Sequence, residues 1–460
     1  MNTILLQPTD ILFFRDGRPM EGSLAGHGAA WPLPNVIDAA LHAALHRSGL
    51  AQESHAHDQR HGAQRHGQDN RRFGSLVTAG PFPVRTGPSS SDQWYLPRPL
   101  DLLDDTLQPA LAPVNIFDAA HSRPLDLLDD TLQPALAPVN IFDAAHSSLP
   151  EALKYAVANR LPPSKEAKAK AWLRADAFQR YLDGATCTLE DGQSVDESAF
   201  SDAEASIGIA IAAETGTTGQ GEAAGKIYSA RYLRLRDNWR LGVFAQTHEK
   251  NGTAERKDLI RDLFHRPEQI LVGGQQRLCT ASRVEGMPLP LPRGKNSAFE
   301  FREAGGEKRW LVKWILLSPA VWPEIPAQSK DGRPMTPHQG GWLPNWVHQT
   351  DGKVMLRSGN RKNRSYSGKH TRGFGDDSAE IAARLVAAIV PKPIPVTGWA
   401  LANETDRKEA GAKSTHLAVP AGAVYYFEAN SEQDACNLAA ALNWHGHEAD
   451  PKQSATAAAR

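Results

Sequence analysis

The stretch "ILFFRDGRPMEGSLAGHGAAWPLPNVIDAALHAALHRSG", residues 11–49, combines an apolar run, a glycine-containing loop and an amphipathic pattern. It opens with a short apolar run at 11–14, which predicts a strand that ends at a sheet edge. A turn at Gly17 and a glycine-containing loop follow. We then expect an amphipathic helix that is capped by Asn35 and ends before Gly49. The first unit is therefore predicted as strand, loop and helix.

The composition limits the class of protein. The chain has 460 residues, a formal net charge of −1, 41% hydrophobic and 22% charged residues, which is typical of a soluble protein with two or three domains. Three cysteines without CxxC spacing fit a reducing cytoplasm and offer no zinc framework. The N-terminus lacks a signal-peptide pattern, and no apolar run reaches the ~18 residues of a transmembrane helix. We expect a cytoplasmic protein without a metal or other cofactor.

Further apolar runs predict the remaining elements. Residues 207–212 and 226–235 flank a loop with four glycines, which predicts a long β-hairpin; an ordinary meander and a protruding hairpin that contacts a partner both remain open. A helical pattern covers 149–184, and a closing helix is expected after a Ser431 cap. Strands of the second half are predicted at 310–317, 385–390 and 424–428. Since no nucleotide-binding glycine motif interrupts this alternation, α+β domains with antiparallel sheets are favoured.

Two segments have the character of insertions. Residues 51–70 are polar and rich in histidine, but they lack apolar support for fixed ligand geometry, so a solvated loop is favoured over a metal site. The stretch "RPLDLLDDTLQPALAPVNIFDAAHS" occupies 98–122 and recurs unchanged at 123–147. Two identical copies do not make a solenoid, which needs at least about three repeats. We expect one copy to follow the native path and the other to form a surface insertion.

The turn after the first apolar run carries two arginines. Arg15 and Arg18 flank Asp16 and Gly17, so two guanidinium groups are held on one tight turn. Guanidinium groups bind phosphates and base edges through paired, charge-assisted hydrogen bonds, which predicts contact with RNA or with a partner. The alternative is an Arg–Asp pair that fixes the turn against the protein itself.

A second turn combines glycine and arginine in "VGGQQRL", residues 272–278. Gly273 and Gly274 have no Cβ atom, so their backbone can approach a phosphate closely. Gln275 and Arg277 add polar and cationic side chains next to it. Most glycine pairs are simple hairpin turns, which is the alternative reading. We predict that this turn and the arginine turn converge on one RNA-binding cradle.

The third basic feature is "RSGNRKNRSYSGKHTRGFG", residues 357–375, which contains no acidic residue. Its cations neutralise phosphates, and the interleaved Tyr366 and Phe374 offer stacking faces to unpaired bases. A solvated loop that keeps the protein soluble is the alternative, but polyanion binding is favoured against the neutral background of the chain. The predicted RNA-binding residues of this loop are Arg361, Lys362, Arg364, Lys369 and Arg372.

Taken in order, these pieces resemble the third subunit of the Cmr complex, the type III-B CRISPR effector, in the Cas5-like group of the RAMP superfamily. The similarity is distributed over most of the chain. Its motifs are "LLQPTDILFFRDGRPM" (5–20), "RRFGSLVTAGPFPV" (71–84), "WYLPRPLDLL" (94–103), "KAWLRADAFQRYLDG" (170–184), "VGGQQRL", "KWILLSPAVW" (313–322), "PVTGWAL" (395–401) and "AVPAGAVYYFE" (418–428).

The resemblance implies two ferredoxin-like, RRM-related domains. These would be 1–298, with insertions at about 51–70, 98–147 and 204–236, and 299–460. It also implies a non-catalytic subunit that holds the 5′ handle of the guide RNA as a single strand, as part of a ribonucleoprotein for antiviral defence. The expected protein partners are the large polymerase-like subunit and the backbone RAMP subunits, and no membrane is expected.

Two alternative functions remain at this stage. Some RAMP relatives cleave precursor RNA without metal, using a histidine as general acid or base, and His27 is the candidate by position. A protein-only scaffold is the other alternative, since the eleven tryptophans of the chain provide interface anchors.

Overall fold

The structure, a computed structural model, describes residues 2–14, 25–26, 29, 31–50, 76–87, 92–102, 107, 111–115, 155–159, 169–183, 187–209, 211, 215–216, 227–247, 258–284, 299–302, 308–328, 332, 334–357, 379–397, 399–400, 411–412 and 414–442. Several predicted features lie outside these residues, namely Arg15, Gly17, Arg18, His27, the stretch 51–70, the second copy 123–147, and the basic-loop residues Arg361, Lys362, Arg364, Lys369 and Arg372.

Large antiparallel sheets and few helices make up the described chain, which confirms the α+β class. The first half contains β1 (Asn2–Pro8), β2 (Ala25–Gly26), α1 (Pro34–Arg47), β3 (Val77–Arg85), β4 (Gln93–Pro97), β5 (Leu111–Asn115), β6 (Tyr155–Asn159), β7 (Trp172–Arg174), α2 (Ala175–Leu182), β8 (Ser194–Val195), α3 (Glu197–Phe200), β9 (Ser201–Ile209), β10 (Ile227–Leu235), β11 (Trp239–Gln246), α4 (Leu259–Leu263), β12 (Glu268–Leu271) and β13 (Leu278–Val284).

The second half contains β14 (Phe299–Arg302), β15 (Lys308–Ile315), β16 (Ala383–Ile389), β17 (Ile394–Val396), β18 (Trp399–Ala400), β19 (Gly411–Ala412), β20 (His416–Ala418), β21 (Val424–Ala429) and α5 (Glu432–Leu442).

An eight-stranded antiparallel sheet with the order β12-β13-β1-β11-β3-β4-β7-β8 organises the first half. Successive side chains of a strand point to opposite faces, so β1 contributes to two cores: Ile4 and Leu6 pack on one face, and Leu5 packs on the other. Residues of α1 and α4 cover the first face. Residues of α2 lie in the cluster that covers the second.

Helix α1 forms where an apolar stripe follows a proline. Pro34 occupies the first turn, where its fixed φ and missing N–H are tolerated. The predicted Asn35 cap is wrong, because the helix begins at Pro34 and Leu33 is the N-cap. The stripe that includes Ile37 and Leu41 is buried against the sheet. Gly49, with φ +71°, follows the helix end as predicted.

Two predictions about local structure are wrong. Residues 11–14 do not form a strand; the strand is β1, and Leu12 makes one isolated antiparallel bridge with Leu233 of β10. The helical pattern predicted over 149–184 holds only for α2, because β6 and β7 lie within it. β7 pairs with β4, so cross-strand packing overrides the local helical pattern there.

The predicted hairpin is confirmed as β9 and β10. The two strands pair antiparallel from Ser201 opposite Leu235 to Ile209 opposite Ile227. β9 begins earlier than the predicted residue 207. β2 pairs in parallel with β10, which makes a three-stranded sheet of order β2-β10-β9.

A four-stranded sheet of order β14-β15-β21-β16 organises the second half and confirms the predicted strands there. β14, which precedes β15 in the chain, occupies the edge beside it. The predicted helix start is also confirmed, since the Ser431 hydroxyl accepts a hydrogen bond from the Asp434 amide at 3.1 Å. The Asp434 carboxylate in turn accepts one from the Ser431 hydroxyl at 2.6 Å.

A buried charge pair connects the two sheets. The Lys313 ammonium on β15 lies 3.1 Å from the Asp101 carboxylate, which follows β4, and Asp101 is fully buried. The Tyr181 hydroxyl of α2 donates to Asp101 at 2.8 Å, and the Lys313 ammonium lies 4.1 Å from the centroid of the Tyr181 ring. Burial lowers the pKa of Lys313, and the neighbouring carboxylate partly opposes this shift.

Asp101 belongs to the first copy of the duplicated segment, so that copy occupies a packed position. Deleting either copy would leave the same sequence, and only point substitutions distinguish the two. Asp101→Ala should lower the free energy of unfolding by about 3–5 kcal/mol, because it leaves a buried ammonium without its counter-ion. The matched Asp126→Ala change in the second copy should cost no more than about 0.5 kcal/mol. Chemical denaturation of the two variants measures both values.

Equal losses in the two single variants would show that both copies are packed. A loss confined to the double variant would show that either copy can fill the same position.

Candidate nucleic-acid interface

The register between β1 and β13 places the end of the first strand beside the predicted glycine turn. Pro8 lies opposite Cys279, and the Thr9 amide donates to the Leu278 carbonyl at 3.0 Å. β12 and β13 pair on either side of residues 272–277, so this turn is the hairpin connection that the glycine pair predicts. The chain leaving β1 therefore passes directly over the turn.

Direct contact joins that chain to the turn. The Gly274 amide donates to the Phe13 carbonyl at 2.9 Å, which brings together residues that the sequence separates by about 260 positions. A Cβ atom on Gly273 would lie 2.5 Å from the Phe13 carbonyl oxygen, and one on Gly274 would lie 2.8 Å from the Phe13 ring. The lack of side chains at Gly273 and Gly274 thus makes room for Phe13 of the same chain. The space that we predicted for a phosphate at Gly274 is occupied by this ring.

Aromatic rings and one guanidinium group lie together at this contact. Leu12 and Phe14 are buried in the core, and Phe13 between them is partly exposed. The Phe13 ring centroid lies 5.5 Å from that of Tyr232 on β10. The Arg277 guanidinium carbon lies 5.3 Å from the Tyr232 centroid, which is within the range of cation–π attraction. Phe13, Tyr232 and residues 273–277 form one surface, called here the turn surface.

Arg277 keeps much of its hydrogen-bonding capacity. One terminal nitrogen donates to the Gln275 side chain at 3.3 Å. Its buried Nε has no hydrogen-bond partner among the residues that the structure describes. A guanidinium group has five N–H donors, so the terminal nitrogens of the stacked arginine keep donors for a ligand although its Nε is buried.

Two arginines near the end of β10 are neutralised instead. Arg234 is paired with Asp10 at 2.9 Å and also with Glu204. Arg236, just beyond the strand, is paired with Asp202 at 2.7 Å, and its hydrogen bond lowers the pKa of that carboxyl. Within the described part of the chain, no carboxylate pairs with Arg277. Arg277 is therefore the cation of the turn surface that can bind an anion.

The arginine turn itself lies outside the described residues, but both of its ends are described. The Ala29 amide donates to the Phe14 carbonyl at 2.9 Å, and β2 pairs with Ser229 and Ala230 of β10. The chain therefore leaves the turn surface at Phe14 and returns beside the same strand. The chain that enters the arginine turn meets the glycine turn at Phe13 and Gly274, and the convergence of Arg15 and Arg18 on the same surface stays a prediction.

Of the predicted site residues, Gly273, Gly274, Gln275 and Arg277 are described, and all of them belong to the turn surface. Of the basic loop 357–375 the structure describes only Arg357, whose guanidinium group lies 3.8 Å from the Glu380 carboxylate. Sequence reasoning missed Phe13 and Tyr232 as site residues. The sequence did contain signals for both, because Phe13 and Phe14 precede the arginine turn and the hairpin strand contains tyrosines at 228 and 232.

The described residues include no group of three or more histidine, cysteine, aspartate or glutamate side chains arranged to hold a metal ion. Among the same residues, no helix has the length and apolar composition that crossing a bilayer requires.

The family described as "CRISPR-associated protein (Cas_Cmr3)" matches residues 4–450. A similar solved structure is a cryo-EM structure of the type III-B Cmr-beta bound to cognate target RNA, with 14% identity, a TM-score of 0.36, and coverage of 92% of this chain and 86% of that chain. Another, of the type III-B Cmr-beta bound to cognate target RNA and AMPPnP, has 15% identity, a TM-score of 0.35 and the same coverage. Both TM-scores are too low to carry an argument. No curated protein matches the chain.

The contact between the glycine pair and Phe13 predicts a specific loss of stability. Gly273→Ala should lower the free energy of unfolding by about 2–4 kcal/mol, since φ is +78° and the new Cβ would meet the Phe13 carbonyl. Gly192→Ala is the matched control, because φ is +77° there and no atom lies within 4 Å of the new Cβ. It should cost only about 1–2 kcal/mol. Equal losses in urea denaturation would show that the close approach does not contribute.

Proposed function

The chain belongs to the CRISPR-associated Cas_Cmr3 family, and we propose on that premise that it binds the guide RNA of a type III-B Cmr effector complex. The membership confirms the resemblance that the sequence motifs predict. In this proposal the protein holds the 5′ handle of the guide RNA and docks on the large polymerase-like subunit and the backbone RAMP subunits. The complex would act in the cytoplasm in antiviral defence.

One observation carries the RNA-binding proposal: Arg277 is stacked on Tyr232 at the point where Phe13 meets the glycine turn. Single-stranded RNA is bound through its phosphates and through bases that stack on aromatic or guanidinium planes. The turn surface offers both kinds of contact within one site. Arg15 and Arg18, which follow Phe14 in the sequence by one and four residues, are proposed to add cations to it.

The topology supports the prediction of a ferredoxin-like domain. In chain order, β1, α1, β3, β11, α4 and β13 follow the β-α-β-β-α-β succession of a ferredoxin-like domain. They lie in the sheet as β13-β1-β11-β3, and both helices pack on the same face. We propose a ferredoxin-like domain within 1–298 and a second, more irregular one within 299–460.

The proposed role is binding without catalysis. The turn surface, made of Phe13, Tyr232 and residues 273–277, contains no histidine and no carboxylate, and histidine is the side chain that most often acts as a general acid or base. His27, the candidate base for RNA cleavage, lies outside the described residues. Labelled repeat RNA should therefore remain intact when it is incubated with the protein in EDTA.

Replacement of the stacked arginine tests the site. Arg277→Ala should weaken binding of a handle-length RNA by about 1–3 kcal/mol, the usual contribution of a charge-assisted contact. Arg277→Lys keeps the charge but loses the planar fork, so it should restore only part of the affinity. Fluorescence anisotropy at fixed salt measures these values.

The control is Arg266→Ala, which removes an exposed arginine paired with Glu268 at 2.9 Å at the opposite end of β12. It should leave RNA affinity unchanged. If Arg266→Ala weakened binding as much as Arg277→Ala, the effect would be one of net charge, and the turn surface would not be the site.

The basic loop gives a second, independent prediction. Replacing Arg361, Lys362 and Arg364 with alanine should remove up to three phosphate contacts. The slope of log K against log salt should then shrink by roughly 0.7 per lost contact. The slope is measured by titrating RNA at several salt concentrations. An unchanged slope would mean that these side chains do not touch RNA.

A further inference from the structure

Strand β9 is the outer edge of the three-stranded sheet, and most of its described side chains are exposed. β10 pairs with one of its sides, and no described strand pairs with the other. From Asp202 to Ile207 every side chain except that of Glu204 is exposed. The strand therefore lacks cover on both faces and along its outer edge within the described part of the chain.

The far half of β9 is also apolar. The side chain of Ile207 is 72% exposed, and that of Ile211, just beyond the strand, is 63% exposed. No other large hydrophobic residue in the described part of the chain is as exposed as either of them. Residues 205–211 carry no charge, whereas the carboxylates nearer the base, Asp202 and Glu204, are paired with arginines of the neighbouring strand.

Edge strands normally carry charges, prolines or bulges, because a row of unpaired backbone N–H and C=O groups would otherwise pair with another chain. The outer half of β9 has none of these protections. Exposed isoleucines at the same place add apolar side-chain contacts to any backbone pairing. Such an edge is complementary to an uncharged β-strand, which binds by strand addition. It is not complementary to a polyanion.

We propose that β9 is a protein-docking edge, and that a β-strand of another subunit of the same effector complex adds to it beside Ile207. The choice of partner rests on the proposed function. The docking edge is distinct from the turn surface. Tyr232 lies opposite Glu204 of β9, and Ile207 is three residues further along the same strand, opposite Ser229. Alternate residues face opposite sides of the sheet, so the isoleucine and the stacking tyrosine occupy different faces.

Hydrogen–deuterium exchange tests strand addition directly. The full chain is compared alone and assembled with the other subunits of its complex, both without guide RNA. Backbone amides of 203–209 should exchange at least tenfold more slowly in the assembly, because strand addition engages outward-facing N–H groups. Unchanged exchange in the assembly overturns the proposal.

A substitution pair provides the second readout. Ile207→Lys should weaken assembly at least tenfold, since it places a charge against an apolar strand. Leu417→Lys is the matched control, because Leu417 is 59% exposed on a short strand of the second half. It should assemble normally. Equal effects of the two variants would overturn a specific role for β9.

The remaining outcomes are also decisive. Protection of 203–209 that appears only after RNA is added would assign the edge to RNA and overturn the proposal. Protection that rises with the concentration of the chain alone would assign it to a second copy, with the same consequence. RNA affinity of the isolated chain should be unchanged by Ile207→Lys and reduced by Arg277→Ala, so failure of this proposal and failure of the proposed function are distinguishable.

Discussion

β1 lies inside the eight-stranded sheet, with β11 on one side and β13 on the other, and its register determines what lies at the end of the sheet. A shift of one residue would exchange the faces of Ile4 and Leu5, which belong to different cores, so burial on both faces fixes the register. With that register fixed, the chain that leaves Pro8 meets the turn that enters β13. The proximity of Phe13 and Gly274 is therefore a consequence of strand pairing.

The second constraint is the charge pair between Asp101 and Lys313. Both side chains are largely removed from water, and Tyr181 adds a hydrogen bond to the carboxylate. Burying two charges is costly unless they are paired and hydrogen-bonded, so this contact tolerates few other arrangements. Asp101 follows β4 of the first sheet, and Lys313 lies on β15 of the second. The position of the two sheets relative to each other is therefore linked to this one interaction.

The sequence predicted features whose cause is local. Glycines mark the turn at 273–274 and the hairpin, and Ser431 marks a helix start, because backbone conformation and capping act within a few residues. Contacts between residues far apart in the chain could not be predicted from such local patterns. A helical pattern before α2 gave way to β6 and β7 through pairing with distant strands. The partner of the glycine pair, Phe13, and the burial of Asp101 likewise depend on residues far away in the chain.

Photo-cross-linking tests whether the turn surface contacts guide RNA. A guide RNA with 4-thiouridine in its 5′ handle is assembled with the protein, irradiated, and the cross-linked peptides are identified by mass spectrometry. Cross-links to the peptides that contain Phe13 or Tyr232 are the predicted result, because these rings are partly exposed beside Arg277. Handle cross-links confined to residues 299–460 would show that the turn surface is not the RNA-binding site.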